Sequence, residues 1–294
     1  MHARTLTLGY SPCPNDTFIF HALAHGIVNL APHKLDIRLA DVEELNRLAL
    51  AGAMDLCKVS AAVLPRIMDR YVTLRSGGAM GRGVGPLVMA ARPLDVCDLN
   101  GATVAVPGLA TTGHLLFSLL CQEQDVTFTA EDMIFSQVME AVASGRVTAG
   151  VIIHEGRFTF EQAGLFQVAD LGQWWEEKTG LPLPLGAIVA RRDLGSDLIG
   201  RAQAAIRASL EHARAHPEAS AAYIQAHAQE LDPAVIAAHI RTFVTDFSLD
   251  LGAEGETALD SLIRAALSLS GQSAPDLPLL APSLPLTATI EETP

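Results

Sequence analysis

The chain has 294 residues, which corresponds to about two domains at ~150 residues each. Hydrophobic residues make up 49% and charged residues 18% of the chain, so it has material for a large core and is not a largely disordered protein. Lys and Arg number 20 and Asp and Glu number 33, for a formal charge of −13. An acidic surface repels phosphate backbones and anionic headgroups, so we expect no nucleic-acid partner and no membrane partner, although a local site can still bind a small anion.

Hydropathy and cysteine usage are typical of an intracellular protein. The mean hydropathy is high, at +0.28, but no apolar stretch reaches the ~18 uninterrupted residues of a membrane span. The N-terminal residues alternate like a strand and show no apolar region of signal-peptide length, so we expect a cytoplasmic location. Because the four cysteines form no C-x-x-C pair, we expect them to be free and buried, without a zinc site or a disulfide framework; they are Cys13, Cys57, Cys97 and Cys121.

Strand and helix patterns alternate along most of the chain. Short apolar or alternating runs bounded by turn residues predict strands at 5–10, 35–39, 56–59, 71–75, 103–107, 126–129 and 149–153. Apolar residues at helical spacing predict helices at 17–26, with Asn15 or Asp16 as its cap, at 42–51, 60–69, 114–121 and 136–144, and a mostly helical region at 196–270. The alternation predicts an α/β protein with mainly parallel sheets. The Pro-rich stretch 274–294 is expected to dock or fray at the end of the chain.

Two similar strings indicate how the chain is divided. Each is a Gly followed by a short apolar run and an Arg, at 85–92 and at 186–192. We interpret them as crossover strands between two lobes, one formed by 1–88 and 188–294, the other by 89–187. Ligands of open α/β sheets bind beyond the carboxyl ends of the strands, so we expect the site in the cleft between the lobes.

Three predicted strand-to-helix junctions carry small polar residues. They are Ser11–Asp16, Lys58–Ser60 and Ala110–Gly113. The N-terminus of a helix has unpaired N–H groups and a partial positive charge, so such junctions suit a carboxylate or a polyol. Ordinary helix caps are the alternative explanation for each junction.

His154 is the histidine whose position is most suggestive of chemistry, because it directly follows the buried strand AGVII. An imidazole with a pKa of about 6.5 exchanges protons near neutral pH, so His154 is a candidate general base; a hydrogen-bonded structural histidine is the alternative. The i, i+4 pairs His21–His25 and His212–His216 have spacing that suits a metal, but no third ligand accompanies them. We therefore predict no metal site.

Two further features have ordinary structural explanations. The Gly-rich loop 76–85 lacks the Lys-Ser/Thr of a phosphate-binding loop and does not open a helix, so we expect a hinge. Arg82 in that loop is a candidate contact for a substrate carboxylate, or else an exposed loop arginine. Trp174 and Trp175 could wall a cleft around an aromatic ligand, but packing is the favoured explanation.

Several long strings resemble a known family. These are GYSPCPNDTFIFHAL, DVEELNRLAL, LRSGGAMGRGVGPLV, VAVPGLATTGHLL, GVIIHEGRFTF and WWEEKTGLPLPLGAIVARRDLG. They are similar to the 1,4-dihydroxy-6-naphthoate synthases of the futalosine route to menaquinone, from about Leu6 to Leu251. The resemblance implies the two-domain fold of periplasmic binding proteins. It also implies conversion of cyclic dehypoxanthine futalosine to 1,4-dihydroxy-6-naphthoate, with release of a sugar-derived fragment and no cofactor.

The resemblance also implies roles for individual residues. The proton acceptor of the family falls on His154, and its substrate contacts fall on Lys58, Val59, Ser60, Thr111 and Thr112. These contacts coincide with two of the three junctions noted above. Three further residues lie in matching motifs and are candidate substrate contacts, namely Asn15, Ser76 and Arg82.

Three other functions stay open at this point. The first is a chorismate dehydratase of the same fold and pathway, and the GRGVGP and IIHE-x-RFT strings favour the synthase over it. The second is a non-catalytic solute-binding protein, which is usually exported. The third is an unrelated cleft enzyme. Each has a small-molecule ligand, and the high hydropathy is compatible with a homodimer.

Overall fold

A computed structural model describes residues 3–154, 156–228, 232–273 and 278–283. These residues form two sheets with helices packed on them. The strands are β1 (Thr5–Tyr10), β2 (Lys34–Leu39), β3 (Leu56–Ser60), β4 (Tyr71–Thr73), β5 (Ala79–Gly81), β6 (Leu87–Ala90), β7 (Ala102–Val106), β8 (Phe128–Asp132), β9 (Ala149–Ile152), β10 (Phe166–Asp170) and β11 (Leu183–Arg191). The helices are α1 (Pro14–Ala24), α2 (Val42–Leu50), α3 (Leu64–Ile67), α4 (Thr112–Glu123), α5 (Phe135–Ala143), α6 (Gly156–Thr159), α7 (Leu171–Thr179), α8 (Ser196–Ala215), α9 (Ala221–His227), α10 (Pro233–Phe243), α11 (Asp246–Leu249) and α12 (Gly252–Ser270).

Each sheet belongs to one lobe. The first sheet has the order β2-β1-β3-β11-β4, with β5 also paired to β11, and the second has the order β10-β6-β9-β7-β8. The chain therefore passes to the second lobe between β5 and β6 and returns between β10 and β11. This confirms the predicted two-lobed α/β architecture with two connections. Sheet membership does not by itself define domain boundaries, so the predicted division at 88/89 and 187/188 stays a prediction.

Both sheets are mixed, so the prediction of mainly parallel sheets is wrong. β1 pairs in parallel with β2 and β3, and β7 pairs in parallel with β8 and β9. The strands next to the connections run the other way: β11 is antiparallel to β3, β4 and β5, and β6 is antiparallel to β9 and β10. A β-α-β crossover joins two strands that run in parallel. β6 and β11 enter their sheets from the other lobe and not through such a crossover, so they can run antiparallel to their neighbours.

Apolar side chains from both lobes bury the helices against the sheets. In the first lobe, Tyr10 and Phe20 are fully buried, and their rings stack with centroids 4.5 Å apart. In the second lobe, Met89 packs in a cluster with Val138 of α5. Burial of each such side chain stabilises the fold by about 1.5–3 kcal/mol. These cores hold the strand ends that face the cleft.

The first helix begins earlier than the sequence indicates. Cys13 is the N-cap of α1, its side chain makes no capping hydrogen bond, and Pro14 is the first helical residue. Proline fits the first position because it has no N–H to leave unpaired and its φ is already helical. The prediction that Asn15 or Asp16 caps this helix is therefore wrong, since both lie buried in its first turn.

The prediction that all four cysteines are buried is wrong at one position. Cys97 is exposed, while Cys13, Cys57 and Cys121 are buried. Cys97 lies in the 3-10 turn Val96–Leu99, whose two apolar end residues fill the core and leave the middle on the surface.

Part of the Pro-rich C-terminal stretch docks on the first lobe. Thr73 of β4 donates its N–H to Leu279 and accepts an N–H from Ala281, at 2.9 and 2.8 Å. Arg192 and Gln203 donate to carbonyl oxygens of the same segment, 278–283. Residues 274–277 and 284–294 lie outside the described residues, so the prediction for them is not addressed. Within the described ranges no helix has the length and apolar character needed to cross a bilayer.

Candidate active site

A cavity lies between the two lobes, at the ends of β3 and β9 and at the first turns of α1 and α4. It contains about 680 Å³ of empty space, part of it open to solvent. Its lining residues are Asn15, Asp16, Val42, Lys58, Val59, Ser60, Ala79, Gly85, Pro86, Thr111, Thr112, Gly113, Ile153, His154, Leu185, Gly186 and Phe243.

Most of the sequence-predicted site residues meet in this cavity. The three junctions, near positions 15, 59 and 112, and the histidine at 154 all line it, although they lie far apart along the chain. Two predicted contacts lie elsewhere. Ser76 is buried and donates to the carbonyl of Leu249 at 2.6 Å. Arg82 is exposed and pairs with Glu254 at 2.8 Å. Neither Ser76 nor Arg82 is among the residues that line the cavity.

A buried ion pair forms part of the cavity floor. Lys58 donates from Nζ to Asp16 Oδ1 at 2.8 Å and to the carbonyl of Gly77 at 3.0 Å. Asp16 also accepts hydrogen bonds at Oδ2 from the N–H and hydroxyl of Ser11. Since Asp16 neutralises Lys58, this lysine is not an isolated cation waiting for an anionic ligand.

The hydroxyl of Ser60 is held ready to donate. The side-chain carbonyl of Asn46 accepts the N–H of Ser60 at 2.8 Å, which places the Asn46 amide nitrogen 3.1 Å from Ser60 Oγ. Ser60 Oγ is thus the acceptor in that bond, and its own proton is left for another partner. Asn46 is fully buried, so it fixes this arrangement rigidly.

The second lobe contributes the N-terminus of α4. Thr111 is the N-cap, and its hydroxyl accepts the N–H of His114 at 3.3 Å. Thr112 and Gly113, the first two residues of α4, line the cavity. The first N–H groups of a helix have no acceptor within it, and the helix dipole favours an anion there. Thr112 also joins the lobes, because its hydroxyl donates to the carbonyl of Leu185 at 2.8 Å.

His154 follows β9 in an unusual backbone conformation. Its φ is 55°, a left-handed value that is uncommon outside glycine and often marks a functional position. Its Nδ1 lies 3.6 Å from Cys13 Sγ, and its ring packs edge-on against Phe135 at 4.9 Å between centroids. The imidazole therefore stands between the two lobes, where a proton acceptor would reach a ligand in the cavity. Glu155, which follows it in the sequence motif, lies outside the described residues.

Arg157 connects two of the sequence motifs. Its guanidinium donates to the carbonyl of Gly85 at 3.0 Å and to Asp170 Oδ2 at 2.6 Å. It thereby ties the segment after His154 to the Gly85–Pro86 wall of the cavity. The sequence gives a signal for this contact in retrospect, since Arg157 lies in the IIHE-x-RFT string and Gly85 lies in GRGVGP.

His239 of α10 is a buried histidine that the sequence analysis missed. It is 1% exposed, and its Nε2 lies 2.9 Å from Asn15 Oδ1. Its ring is nearly parallel to that of His154, with centroids 6.0 Å apart. Burial, reinforced by the proximity of His154, lowers the pKa of His239 to about 3. The ring is therefore neutral at working pH.

This low pKa predicts a pH-dependent stability. The unfolded chain protonates His239 below about pH 6.5, while the folded chain does so only near pH 3. The free energy of unfolding therefore falls as pH drops through this window, with about 2 kcal/mol lost to this group at pH 5. We expect urea unfolding at pH 7.5 and 5.0 to show a smaller pH effect in His239→Phe than in the wild type. An equal pH effect in both would contradict the buried neutral state.

The tryptophan pair packs, as favoured from the sequence. Trp175 is buried and donates its indole N–H to the carbonyl of Pro182 at 3.2 Å. Trp174 is partly buried, and the ammonium of Lys178 lies 5.0 Å from its ring centroid. Neither ring is among the residues that line the cavity.

The fold and the cavity between its lobes define the protein's class. The structure resembles the periplasmic aliphatic sulphonate binding protein of Escherichia coli, with a TM-score of 0.66 and 14% identity over 98% of this chain and 95% of that one. The chain therefore has the two-lobed fold of periplasmic binding proteins, as the sequence motifs implied. At this identity the likeness concerns the fold alone.

Sequence comparison places the chain more narrowly. Residues 6–267 match the family model described as menaquinone biosynthesis. A 1,4-dihydroxy-6-naphthoate synthase of Thermus thermophilus is 54% identical over 92% of this chain and 96% of its own length. One of Streptomyces coelicolor is 48% identical over 90% and 94%. The chain belongs to this family of menaquinone-biosynthesis enzymes, which confirms the predicted resemblance and enzyme class.

Proposed function

We propose that the chain converts cyclic dehypoxanthine futalosine to 1,4-dihydroxy-6-naphthoate, with His154 as general base. The observation that carries this proposal is the meeting of His154, Ser60 and the start of α4 in one interlobe cavity. Relatives with this activity are about half identical to the chain over nearly its whole length. The presence of a candidate proton acceptor and of hydrogen-bond donors in one cavity supports the proposal.

The proposed reaction is an elimination in the interlobe cleft, which closes on the substrate and thereby excludes water. Ser60 donates a hydrogen bond from its hydroxyl to the substrate. The first N–H groups of α4 face the carboxylate or hydroxyls of the substrate. The neutral imidazole of His154 removes a proton, the sugar-derived fragment leaves, and the bicyclic product becomes aromatic. Aromatisation provides driving force, so one positioned base is sufficient and no cofactor is required. General base catalysis is worth ~10²–10⁴-fold, and positioning adds to it.

The central test is product formation by the purified protein. Cyclic dehypoxanthine futalosine and chorismate are incubated separately with the enzyme, and the products are analysed by liquid chromatography and mass spectrometry. The proposal expects 1,4-dihydroxy-6-naphthoate from the first substrate. Dehydration of chorismate would instead identify the chorismate dehydratase alternative. Retention of the first compound without chemical change would identify a solute-binding protein.

Ser60→Ala should weaken substrate binding. The variant removes one hydroxyl donor that Asn46 already orients, and a hydrogen bond to a charged group is worth about 1.5–3 kcal/mol. We expect KM to rise about 10- to 100-fold, measured by steady-state naphthoate formation. Ser118→Ala is the matched control, since Ser118 lies further along α4, is not among the residues that line the cavity, and donates its hydroxyl to the carbonyl of His114. A Ser60→Ala enzyme with unchanged KM would remove Ser60 from the binding site.

We also propose that the enzyme acts in the cytoplasm on a small molecule. It has no nucleic-acid partner in this proposal, which the formal charge of −13 supports.

The homodimer stays a prediction. Light scattering coupled to size exclusion measures the molar mass in solution directly. A mass of one chain would contradict the dimer.

A further inference from the structure

A chain of buried hydrogen bonds determines how the amide of Asn15 is oriented. Asn15 Nδ2 lies 2.8 Å from Asp16 Oδ1, and Asn15 Oδ1 lies 2.9 Å from His239 Nε2. The Asp16 carboxylate, paired with Lys58 Nζ at 2.8 Å, can only accept hydrogen bonds. The group of Asn15 that faces it must therefore be the NH₂, and the carbonyl must face His239.

The orientation of Asn15 in turn fixes the protonation of His239. A carbonyl oxygen accepts, so Nε2 of His239 must carry the proton and donate it. Nδ1 is then a bare acceptor, and within the described residues it is buried without a hydrogen-bond partner. A buried unpaired nitrogen is costly, and a phenylalanine would avoid that cost. The histidine is therefore explained by what its Nε2–H does for Asn15.

Asn15, in contrast to His239, lines the cavity. Its side chain bonds Asp16 and His239 among the described residues, which uses one of its two amide hydrogens. The second hydrogen is left as a donor. If the amide were reversed, its carbonyl oxygen would face the Asp16 carboxylate, acceptor against acceptor, and its NH₂ would face the Nε2–H of His239, donor against donor. Asp16 and His239 therefore favour the same orientation of the Asn15 amide.

We propose that His239 is a positioning residue, which holds the Asn15 amide so that its second N–H binds an acceptor group of the substrate, a carboxylate or hydroxyl oxygen. This inference rests on the proposed function, because it concerns substrate recognition in the same cavity. It assigns His239 no contact with the reacting atoms. His239 acts through Asn15, and the neighbouring His154 remains the proton acceptor.

Two variants of His239 in the full-length enzyme test the inference through KM and kcat. His239→Phe keeps a ring beside Phe243, whose centroid lies 4.7 Å away, but removes the donor. We expect it to raise KM about tenfold with kcat nearly unchanged, since Asn15 binds ground state and transition state alike. His239→Gln places an amide N–H where Nε2 lies, so we expect KM within about threefold of wild type. A cooperative thermal unfolding transition, measured for each variant, checks that the variant is folded.

A double-mutant cycle separates positioning from packing. Asn15→Ala should raise KM about as much as His239→Phe, and the double variant should be no worse than Asn15→Ala alone. If His239→Phe raises KM equally in both backgrounds, or if His239→Gln is as impaired as His239→Phe, the inference is overturned. A wild-type enzyme that forms no naphthoate would refute the proposed function instead.

The tautomer of His239 is measured independently of any substrate. Long-range nitrogen-15 NMR of the histidine rings distinguishes the two neutral tautomers. We expect the Nε2–H form of His239 in the wild type, and a changed Nε2 signal in Asn15→Ala. An Nδ1–H tautomer in the wild type would overturn the inference even if the enzyme proved inactive on this substrate.

Discussion

Replacing His154 by Asn is expected to lower kcat for naphthoate formation by ~10²–10⁴-fold, because the amide cannot accept a proton. Asn is the suitable replacement, since the backbone φ of 55° at this position is one that Asn tolerates better than Ala. The fold should be kept, and the substrate should still raise the thermal unfolding temperature. Turnover at the wild-type rate would exclude His154 from the mechanism.

Two control variants locate the effect at the imidazole. His216→Asn, at the exposed end of α8, should retain wild-type turnover. Cys13→Ala removes the thiol 3.6 Å from His154 Nδ1. A thiol forms weak hydrogen bonds, so we expect less than about a tenfold loss of kcat. A loss equal to that of His154→Asn would assign the thiol, and not only the imidazole, to the proton transfer.

The sequence predicts the parts of the site that local chain chemistry specifies. A histidine directly after a buried strand must emerge at the strand's carboxyl end, and small polar residues before a helix mark its N-terminus. His154, Ser60 and Thr111 were found on these grounds, and all three line the cavity. Their motifs also lie within the region that the family model matches.

Contacts between distant segments could not be predicted in the same way. His239 lies within α10, in an apolar helix pattern, and it meets Asn15 only because that helix packs beside α1. No spacing rule links positions 224 residues apart. The same holds for the antiparallel entry of β11, which depends on where the chain returns from the other lobe. Arg82 and Ser76 show the converse, since a family motif need not bring each of its side chains to the cavity.

Lys58→Met is expected to lower the free energy of unfolding by about 3–5 kcal/mol, because it leaves the Asp16 carboxylate buried without its cation. The two side chains are 6% and 2% exposed, so water cannot replace the lost partner. Urea unfolding should show a lower midpoint with an unchanged slope. Arg264→Met is the matched control: it breaks a pair on the exposed face of α12, where solvent screens the charges, and should leave the urea midpoint nearly unchanged.

The double variant Lys58→Met with Asp16→Asn separates the charge from the shape of this pair. Without the carboxylate no buried charge is left uncompensated, so we expect it to be more stable than Lys58→Met alone. If the double variant is no more stable than the single one, the cost comes from lost packing or from the lost bond to Gly77. In Asp16→Asn the new side-chain amide can turn either its oxygen or its NH₂ toward Asn15. The carboxylate that fixes the orientation of the Asn15 amide is then lost. We therefore expect the double variant to recover stability without recovering the wild-type KM, because the pair stabilises the fold through its charge balance and shapes recognition through the carboxylate.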